Sequence, residues 1–396
     1  GPQRGSDSHI IEIENASTII QNNNITYRAN DDAAPQPQST VAIAFTYNTN
    51  IEHFITIKDN RLSFIASLIL QEQGQPDRQP LPLPENIEGI AGQINSKQIN
   101  IDIIQNSFTS LPVQGKTTGI DIFNQSETIP APKILSNELF IMQAQTVVGI
   151  QIKKANPIID SNAIGIGSSN RNIPNMAGIF IDKSTDTVIQ NNLVYILSTM
   201  GNSVFASPLA LTDTAKAKIY SNTLSVGINM GLPVGLTLKN SNNLDLKSNI
   251  FHSSYRNMFG FPFRRYAILT HEDNFPIKYL HNNLFDGRLN ILYAKQGDPA
   301  SEVYELEDLE NLFPQQALDP AHPVLPFGEN IRDLPALTIK NYLPDRNSPA
   351  IDHGYDFSQN LVPGGPTVDI KGNKRGHHPD IGCWERIERV QVDLPQ

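Results

Sequence analysis

Along most of the chain, single asparagines interrupt short apolar runs in a repeated arrangement. In the segment IYSNTL (219–224), Asn222 follows Ile219 by three residues and precedes Leu224 by two. The same apolar-x-x-Asn-x-apolar arrangement recurs at Asn23, Asn60, Asn106, Asn137, Asn162, Asn192, Asn222, Asn249 and Asn283. Successive asparagines lie 25 to 46 residues apart. A repeat of this period, tolerant of length, predicts a solenoid of stacked units.

A second element precedes these asparagines, a small residue followed by alternating apolar positions. It occurs as GIDIFN, GIQIKK, GIFIDK, PLALTD, GLTLKN and AILTHE, starting at Gly119, Gly149, Gly178, Pro208, Gly235 and Ala267. Both elements have the two-residue period of strands that bury one face. A helical pattern is confined to Ser301–Phe313. Two or three short strands in each turn of about 30 residues predict an all-β fold, a single right-handed parallel β-helix.

The asparagines are expected to stack at a bend of this solenoid. Equivalent strands of successive turns pair about 4.8 Å apart, so each side-chain amide can reach the same amide one turn above and one turn below. Stacking of this kind satisfies polar groups that would otherwise be buried without a partner. The nine asparagines are therefore predicted to form a ladder.

The repeat pattern resembles the right-handed parallel β-helix proteins of the pectate-lyase-like superfamily over roughly residues 10–290. The C-terminal motifs NSPAIDHG (347–354), DIKGNKRG (369–376) and PDIGCWE (379–385) are similar to the closing segment of bacterial surface β-helix proteins of the choice-of-anchor class. This sequence departs from that pattern at Cys383 and Trp384, where alanine and tyrosine are usual. The resemblance implies an exported bacterial protein, extracellular or on the cell surface, in a class whose activity is often unknown.

Three segments are expected along the chain. Residues 1–8 contain GPQRGS, typical of a cloning remnant, and are expected to be a flexible N-terminus without an export signal. Residues 9–290 are expected to form the rungs, and residues 291–396 the last rungs and a C-terminal cap. A cap is expected because the uncovered end of a solenoid is an exposed sheet edge.

The composition of the chain limits which binding partners are expected. A net charge of −10 and 18% charged residues argue against a nucleic-acid-binding protein. No apolar stretch approaches the roughly 18–20 residues of a membrane span, and a monomer is expected. Lone Cys383 and the histidines lack zinc-ligand spacing, so no metal site is assigned. Calcium binding by Asp352, Asp369, Asp380 and Glu385 is one interpretation of those acidic residues; turn formation by their side chains is favoured.

Outward residues at equivalent positions of a β-helix form columns. Aligning the second element places Phe180 in one column, and Lys153, Asp182, Lys239 and His271 in the next, with Asp213 at the following turn. Two chemistries fit these candidate catalytic residues. Asp182 and Asp213 could act as acid and base in glycoside hydrolysis. Alternatively Lys153, Lys239 or His271 could remove a proton beside a uronic acid carboxylate. The alternative interpretation is a solvated strand face of mixed charge that neither binds a ligand nor catalyses a reaction.

An aromatic insertion, HSSYRNMFGFPFRRY (252–266), adds candidate substrate-binding residues. Besides Phe180 these are Tyr255, Arg256, Arg264 and Arg265, because aromatic faces and arginine forks suit a sugar-binding wall. A loop buried over the solenoid would favour the same residue types. The insertion lacks the complete arginine motif of pectate lyases, since position 260 is glycine.

Two functions follow as hypotheses. The first is an exported protein that binds a polysaccharide or cell-surface glycan along the outward strand face and could cleave or epimerise it. For an enzyme of this kind, lyase or epimerase chemistry is favoured over glycoside hydrolysis. The second is a non-catalytic surface solenoid, an adhesin, spacer or receptor-binding stalk. The fold alone does not separate them.

Overall fold

The structure is a computed structural model. It describes residues 8–28, 39–49, 52–65, 86–95, 99–110, 115–125, 130–142, 146–167, 175–197, 205–227, 232–253, 264–272, 274–313, 327–333, 342–345, 347–357 and 365–386. Residues Tyr255 and Arg256 of the aromatic insertion lie outside these ranges.

The described residues form 31 strands in three sheets, numbered here in chain order. Sheet A contains β1 (Ser8–Glu14), β4 (Ser39–Tyr47), β7 (Asn86–Ile94), β10 (Lys116–Asn124), β13 (Thr146–Lys153), β16 (Asn175–Asp182), β19 (Phe205–Thr212), β22 (Leu232–Lys239), β25 (Tyr266–Thr270), β28 (Ile291–Lys295) and β29 (Asp298–Val303). Sheet B contains β2 (Thr18–Gln21), β5 (His53–Lys58), β8 (Ile99–Ile104), β11 (Lys133–Leu135), β14 (Ile158–Asp160), β17 (Thr187–Gln190), β20 (Ala217–Tyr220), β23 (Leu244–Lys247), β26 (Ile277–His281) and β30 (Phe327–Gly328). Sheet C contains β3 (Asn24–Arg28), β6 (Arg61–Ile65), β9 (Ser107–Ser110), β12 (Glu138–Met142), β15 (Ala163–Gly167), β18 (Leu193–Ile196), β21 (Thr223–Val226), β24 (Ile250–Ser253), β27 (Leu284–Asp286) and β31 (Ile331–Asp333).

Each strand pairs with the equivalent strand of the next turn. Strand order advances by three, as in β10-β13-β16 of sheet A, except at the last steps β26-β30 and β27-β31, which advance by four because β29 is inserted; these pairings are parallel. One turn, or rung, therefore contains one strand of each sheet. The exception is β29, which pairs antiparallel with β28 at the C-terminal end of sheet A. This is a parallel β-helix, as the repeat predicted.

Apolar side chains from the three sheets fill the interior. In sheet A, one inward column contains Ile120, Ile150, Ile179, Leu209 and Leu236, each at most 1% exposed. Such columns form one continuous core cluster from Ile13 to Phe313. Each rung thus buries its apolar surface against its neighbours, which lets the solenoid exceed the size of an ordinary single core.

The small residue that opens the second sequence element is explained by close contact between rungs. A Cβ atom at Gly149 would lie 2.4 Å from the carbonyl oxygen of Gly178, and one at Gly178 would lie 2.6 Å from that of Pro208. These distances are below van der Waals contact, so glycine allows the rungs to approach here.

The asparagine ladder predicted from the sequence is present. Asn222 donates from its backbone N and its Nδ2 to Oδ1 of Asn249, both at 3.0 Å, and from Nδ2 to the carbonyl of Ile189 at 2.9 Å. Its own Oδ1 accepts the same pair of bonds from Asn192. This pattern links Asn23 to Asn283 through every predicted step.

The structure adds a tenth step, Asn330, whose Oδ1 accepts from both the backbone N and Nδ2 of Asn283. The sequence pattern missed it because Arg332 occupies the position that is apolar after the other nine asparagines. The side chain of Asn330 in turn donates to the carbonyl of Leu280.

A sharp bend precedes each ladder asparagine. The residue before it has a positive φ of 52° to 59° in all ten cases, although none of these residues is glycine. They are Asn22, Asp59, Gln105, Ser136, Ser161, Asn191, Ser221, Ser248, Asn282 and Glu329. A left-handed conformation costs about 1–2 kcal/mol per non-glycine residue. The ladder hydrogen bonds, each contributing about 0.5–1.5 kcal/mol, offset that cost.

The last rungs are covered by residues 298–313. The predicted helix at Ser301–Phe313 is shorter than expected, since Asp298–Val303 is β29 and only Leu306–Glu310 is helical (α1). Leu309 and Phe313 are buried in the main core, and Phe313 packs edge-on against Phe275 at a centroid distance of 4.8 Å. This part of the chain thus closes the apolar interior.

The sequence predicted that the C-terminal segment (residues 347–357 and 365–386) would cover the end of the solenoid, but the segment lies against its side. Its contacts run along the side of the solenoid, across the ladder bends of four successive rungs. Arg375 Nη2 donates to Asn191, the Cys383 amide donates to Thr223 Oγ1, and the Gly382 amide donates to the Ser248 carbonyl. Asn282 Nδ2 donates to the carbonyl of His353. We refer to this segment as the lateral strap.

The lateral strap also packs apolar side chains on outward faces. Ala350 and Ile381 form a buried cluster with Ile250 and Leu284 of sheet C. On sheet B, Tyr355 and Phe357 cover Tyr220. Bend residues under the strap are buried, whereas the equivalent Asp59, Gln105 and Ser136 are exposed. The strap is therefore part of the folded core of the C-terminal rungs.

Replacing Asn222 by alanine is expected to lower the free energy of unfolding by about 1–3 kcal/mol, because Asn192 and Asn249 each lose a buried partner. Denaturant unfolding of the variant measures this loss. Asn242→Ala, at an exposed turn whose backbone bond to Thr214 is retained, is the control and should stay within about 0.5 kcal/mol of wild type. Equal stability of the two variants would contradict a structural role for the ladder.

Truncation after Pro344 is expected to lower the melting temperature by about 5 °C or more, because it uncovers Tyr220, Ile250 and Leu284. Arg375→Ala should act in the same direction, since it leaves Asn191 Oδ1 and the Gly382 carbonyl without the buried guanidinium. His378→Ala, at an exposed position of the strap, is the control. A soluble truncated monomer with an unchanged melting temperature would overturn this role of the strap.

Candidate functional site

The strand register places the predicted candidate residues of sheet A in one outward column. Lys153 pairs with Asp182, Asp182 with Thr212, and Thr212 with Lys239. On the next rung the pairing of Leu238 with Thr270 continues to His271, whose backbone N donates to the carbonyl of Leu238. We call Lys153, Asp182, Lys239 and His271, with Thr212 between them, the charged strip. Their function stays a prediction.

The charged strip is open to solvent, but the column beside it is not. Lys239 and His271 are exposed, and Lys153 and Asp182 are half-buried. In the neighbouring outward column Phe180 is half-buried, whereas Ala210, Thr237 and Leu269 are at most 8% exposed. A ligand on this face would therefore meet a surface about one residue wide and the turns beside it.

Those turns carry a second row of charges. Lys154, Lys183, Asp213 and Asn240 have φ values of 48° to 58°, and each directly follows a strip position. Asn240 Nδ2 donates to Asp213 Oδ1 at 2.8 Å, and its backbone N donates to Glu272 at 2.7 Å. Left-handed turns of equal geometry thus align a mixed row of lysines and acids next to the strip.

Two groups of the strip have altered acidity. Partial burial raises the pKa of Asp182; Lys183 lowers it and Asp213 raises it further. Partial burial also lowers the pKa of His271, and the positive charge of Lys239 lowers it further. Asp182 is thereby shifted toward the protonated acid and His271 toward the neutral imidazole, the forms used by a general acid and a general base.

The arginines expected to wall this face already have partners within the chain. Arg264 is exposed and pairs with Glu302 at 3.0 Å. Arg265 Nη1 donates to the carbonyl of Arg288 at 2.7 Å, and its backbone N donates to Asn290. Part of the hydrogen-bonding capacity of both arginines is therefore committed to the fold.

Sequence reasoning missed a buried polar cluster on the outward face of sheet C. Ser225 Oγ lies 2.7 Å from His252 Nδ1, and His252 Nε2 lies 3.8 Å from the fully buried Asp286. Each of the three residues stands three positions after a ladder asparagine. Counting forward from the ladder would have aligned them, just as counting from the glycines aligned the strip.

The hydrogen bonds of this cluster differ from those of a serine nucleophile. Arg288 Nη2 lies 2.8 Å from His252 Nε2 and also donates to Asp286. Since a guanidinium can only donate, Nε2 accepts and Nδ1 carries the proton. Nδ1 then donates to Ser225, so His252 cannot take the serine proton in this arrangement. The cluster is a buried hydrogen-bonded network. Tyr342 packs against it, with its ring edge-on to that of His252 at a centroid distance of 5.6 Å.

Three of the four acidic residues considered for calcium, Asp369, Asp380 and Glu385, accept hydrogen bonds from backbone amides. Asp380 accepts from the amides of Asp352 and Arg386, one on each oxygen. Asp369 accepts from the amides of Lys371, Asn373 and Glu385. These bonds are those of turn-forming side chains. Within the described ranges, no group of three or more His, Cys, Asp or Glu side chains is placed to hold a metal ion.

Two cavities lie against the lateral strap. One, of about 510 Å³, is between the strap turn at Asp369–Gly372 and the ladder bends at Ser136 and Ser161. The other, of about 440 Å³, is lined by described residues of the strap, among them Tyr355, Phe357 and Pro379. The strap thus forms concave space that the sequence columns did not indicate.

No protein-family profile matches the chain, and no curated protein matches it. In the part of the chain that the structure describes, no helix has the length and apolar character needed to cross a membrane.

Acid is expected to destabilise the protein through His252. Burial lowers the pKa of His252 to about 4, outweighing Asp286, which raises it; the ordinary value is about 6.5. The unfolded chain therefore binds more protons in this window. Stability is full above about pH 6.5 and falls by about 1.4 kcal/mol per pH unit toward pH 4, about 3 kcal/mol in total.

The measurement is denaturant unfolding at a series of pH values between about 7 and 4.5. His252→Gln, which cannot take up the proton, should show a shallower loss of stability than wild type. His353→Gln, at an exposed strap position, serves as the control and should keep the wild-type slope. Identical slopes for wild type and His252→Gln would refute the assignment.

Proposed function

We propose that the protein is an exported polysaccharide-binding solenoid that holds a charged glycan along the charged strip. The observation that supports this proposal is the register of sheet A, which aligns Lys153, Asp182, Lys239 and His271 on one accessible column. The export part rests on the resemblance of the C-terminal motifs to bacterial surface proteins.

The spacing of the strip suits a repeating polymer. Three rungs separate Lys153 from Lys239, or about 14 Å at the usual strand spacing. Lysines at both ends can pair with carboxylate or sulfate groups, while Asp182 and the intervening Thr212 can bond hydroxyl groups. The net charge of −10 opposes an anionic ligand at long range. Screening within about 8–10 Å lets the local lysines dominate.

Base-driven elimination or epimerisation is the second candidate, favoured by the pair His271 and Lys239. A neutral imidazole at physiological pH could take the proton from the carbon beside a uronate carboxylate, and the neighbouring ammonium would stabilise the charge that develops on that carboxylate. In a lyase the C–O bond at the next carbon would then break and leave a double bond. The alternative pair Asp182 and Asp213, on adjacent rungs, would instead serve hydrolysis.

A non-catalytic surface solenoid is the competing proposal. An adhesin, spacer or stalk needs the scaffold but no reactive groups, and mixed charge on an outward column also keeps such a protein soluble. The two proposals differ in whether a bound glycan is released unchanged.

The test is a glycan array followed by affinity measurement on the best ligand. Lys239→Ala should weaken binding about tenfold or more, since a hydrogen bond to a charged group is lost. The affinity should also fall as salt is raised. Lys278→Ala, an exposed lysine on sheet B, is the matched control and should bind as wild type does.

The same ligand is then assayed for unsaturated products and new reducing ends. Unsaturated products that disappear in His271→Ala would support the lyase candidate. Binding without any product would favour the adhesin or stalk. If no glycan binds, or if Lys239→Ala binds as tightly as wild type, the proposal for the charged strip is wrong.

A further inference from the structure

The outward column that contains the charged strip continues one rung before Lys153 with an aromatic residue. Phe123 of β10 pairs with Lys153 of β13 on one side and with Gln93 of β7 on the other. It points outward, since the preceding Ile122 is fully buried in the core, and it is half-buried. The buried core clusters of the described residues do not include Phe123. Part of its ring is therefore accessible at the N-terminal end of the strip.

A lysine lies over this ring. Lys154 Nζ is 5.6 Å from the centroid of Phe123, within the range of a cation–π contact. The backbone of Lys154 is held in a left-handed turn with a φ of 55°. Its N donates to the carbonyl of Asp182 at 2.8 Å, and its carbonyl accepts from Asn124 Nδ2 at 3.0 Å. The structure thus places an apolar ring and an exposed ammonium group side by side.

The charge at this end of the strip is mainly positive. Lys153, Lys154 and Lys183 come from two adjacent rungs, with Asp182 among them. Burial raises the pKa of Asp182 and all three lysines lower it, so their charges act on the same place. Asp121, on the neighbouring outward column, already accepts hydrogen bonds from a lysine and a glutamine side chain at 3.4 and 2.6 Å.

The opposite end of the strip has more acidic groups. Asp213 and Glu272 lie in the turns beside Lys239 and His271, and Asn240 donates a hydrogen bond to each of these two acids. An anionic group on a ligand is therefore attracted more strongly to the end that contains Phe123, since interactions between exposed charges are confined to about 8–10 Å.

We propose that Phe123 and Lys154 form a subsite for one acidic sugar unit, a uronate or a sulfated sugar, at the N-terminal end of the charged strip. This inference rests on the function proposed above. The C–H face of the sugar ring packs on Phe123, and its carboxylate or sulfate pairs with the ammonium group of Lys154. A neutral sugar would keep the first contact and lose the second.

The subsite lengthens the glycan that the strip can hold. Four rung steps separate Phe123 from Lys239, or about 19 Å at the usual strand spacing. A disaccharide is too short to contact both residues, whereas an octasaccharide covers the whole strip. The octasaccharide is therefore the ligand for which substitutions at both ends should weaken binding.

The experiment is isothermal titration calorimetry with the intact protein and four probes. These are octasaccharides of galacturonate (carboxylates) and of carrageenan (sulfates), neutral maltooctaose, and a single-stranded oligothymidylate of eight nucleotides. At least one acidic octasaccharide is expected to bind, and more tightly than the other two probes. Phe123→Ala and Lys154→Gln should each weaken that binding about threefold to tenfold. Phe123→Tyr keeps the ring and should retain it.

Phe140→Ala and Lys133→Ala are the matched controls, since Phe140 is exposed on sheet C and Lys133 on sheet B, and both should bind as wild type does. Melting temperatures verify that each variant is folded. If Lys239→Ala weakens binding but Phe123→Ala and Lys154→Gln do not, the subsite is wrong and the proposal for the charged strip stands. If no acidic octasaccharide binds, both are wrong. Tightest binding of maltooctaose or oligothymidylate also overturns the subsite.

Discussion

The fold depends on how each rung turns its corner between sheets B and C. A left-handed residue makes the corner sharp enough, at a cost of about 1–2 kcal/mol, and turns backbone polar groups toward an apolar interior. The side chain of the following asparagine meets both demands, since it bonds the next asparagine and a carbonyl of the preceding rung. One residue type thereby links three rungs and sets the register of all three sheets.

Packed apolar side chains fill the interior, so binding or catalytic groups must lie in the outward columns. These columns differ in how accessible they are to solvent. On sheet C the Ser225–His252–Asp286 network is buried, and Tyr342 packs against it. On sheet B the lateral strap covers the C-terminal rungs with aromatic side chains. On sheet A the charged strip is accessible at Lys239 and His271. Of these three places, the charged strip is the one open to a ligand.

Local repetition explains what the sequence could predict. Nine ladder asparagines and the columns of sheet A follow from a period that each rung repeats. The tenth step was missed because a single position after Asn330, Arg332, is not apolar. The helix was predicted too long because Ser301–Val303 pairs with β28, a tertiary contact that overrides local preference.

The site was less predictable, because its decisive contacts are not periodic. Arg375 donates a hydrogen bond to Asn191, which is 184 residues away in the sequence, and no sequence motif indicates this pairing. The lateral course of the strap and the cavity within it follow from such contacts. The Ser225–His252–Asp286 column, by contrast, was accessible to the same counting that found the charged strip, had the count started from the ladder.

The ladder also has a direction. Each amide nitrogen from Asn23 to Asn283 donates to the amide oxygen of the next step, and each amide oxygen from Asn60 to Asn330 accepts from the previous step. Ten amide dipoles are therefore aligned in series, and each polarises its neighbour as in other hydrogen-bonded chains. The solenoid has an electrically polar axis, with its acceptor end at the first rung and its donor end at the last. A further rung added before Asn23 would have to bring a donor, and one added after Asn330 an acceptor.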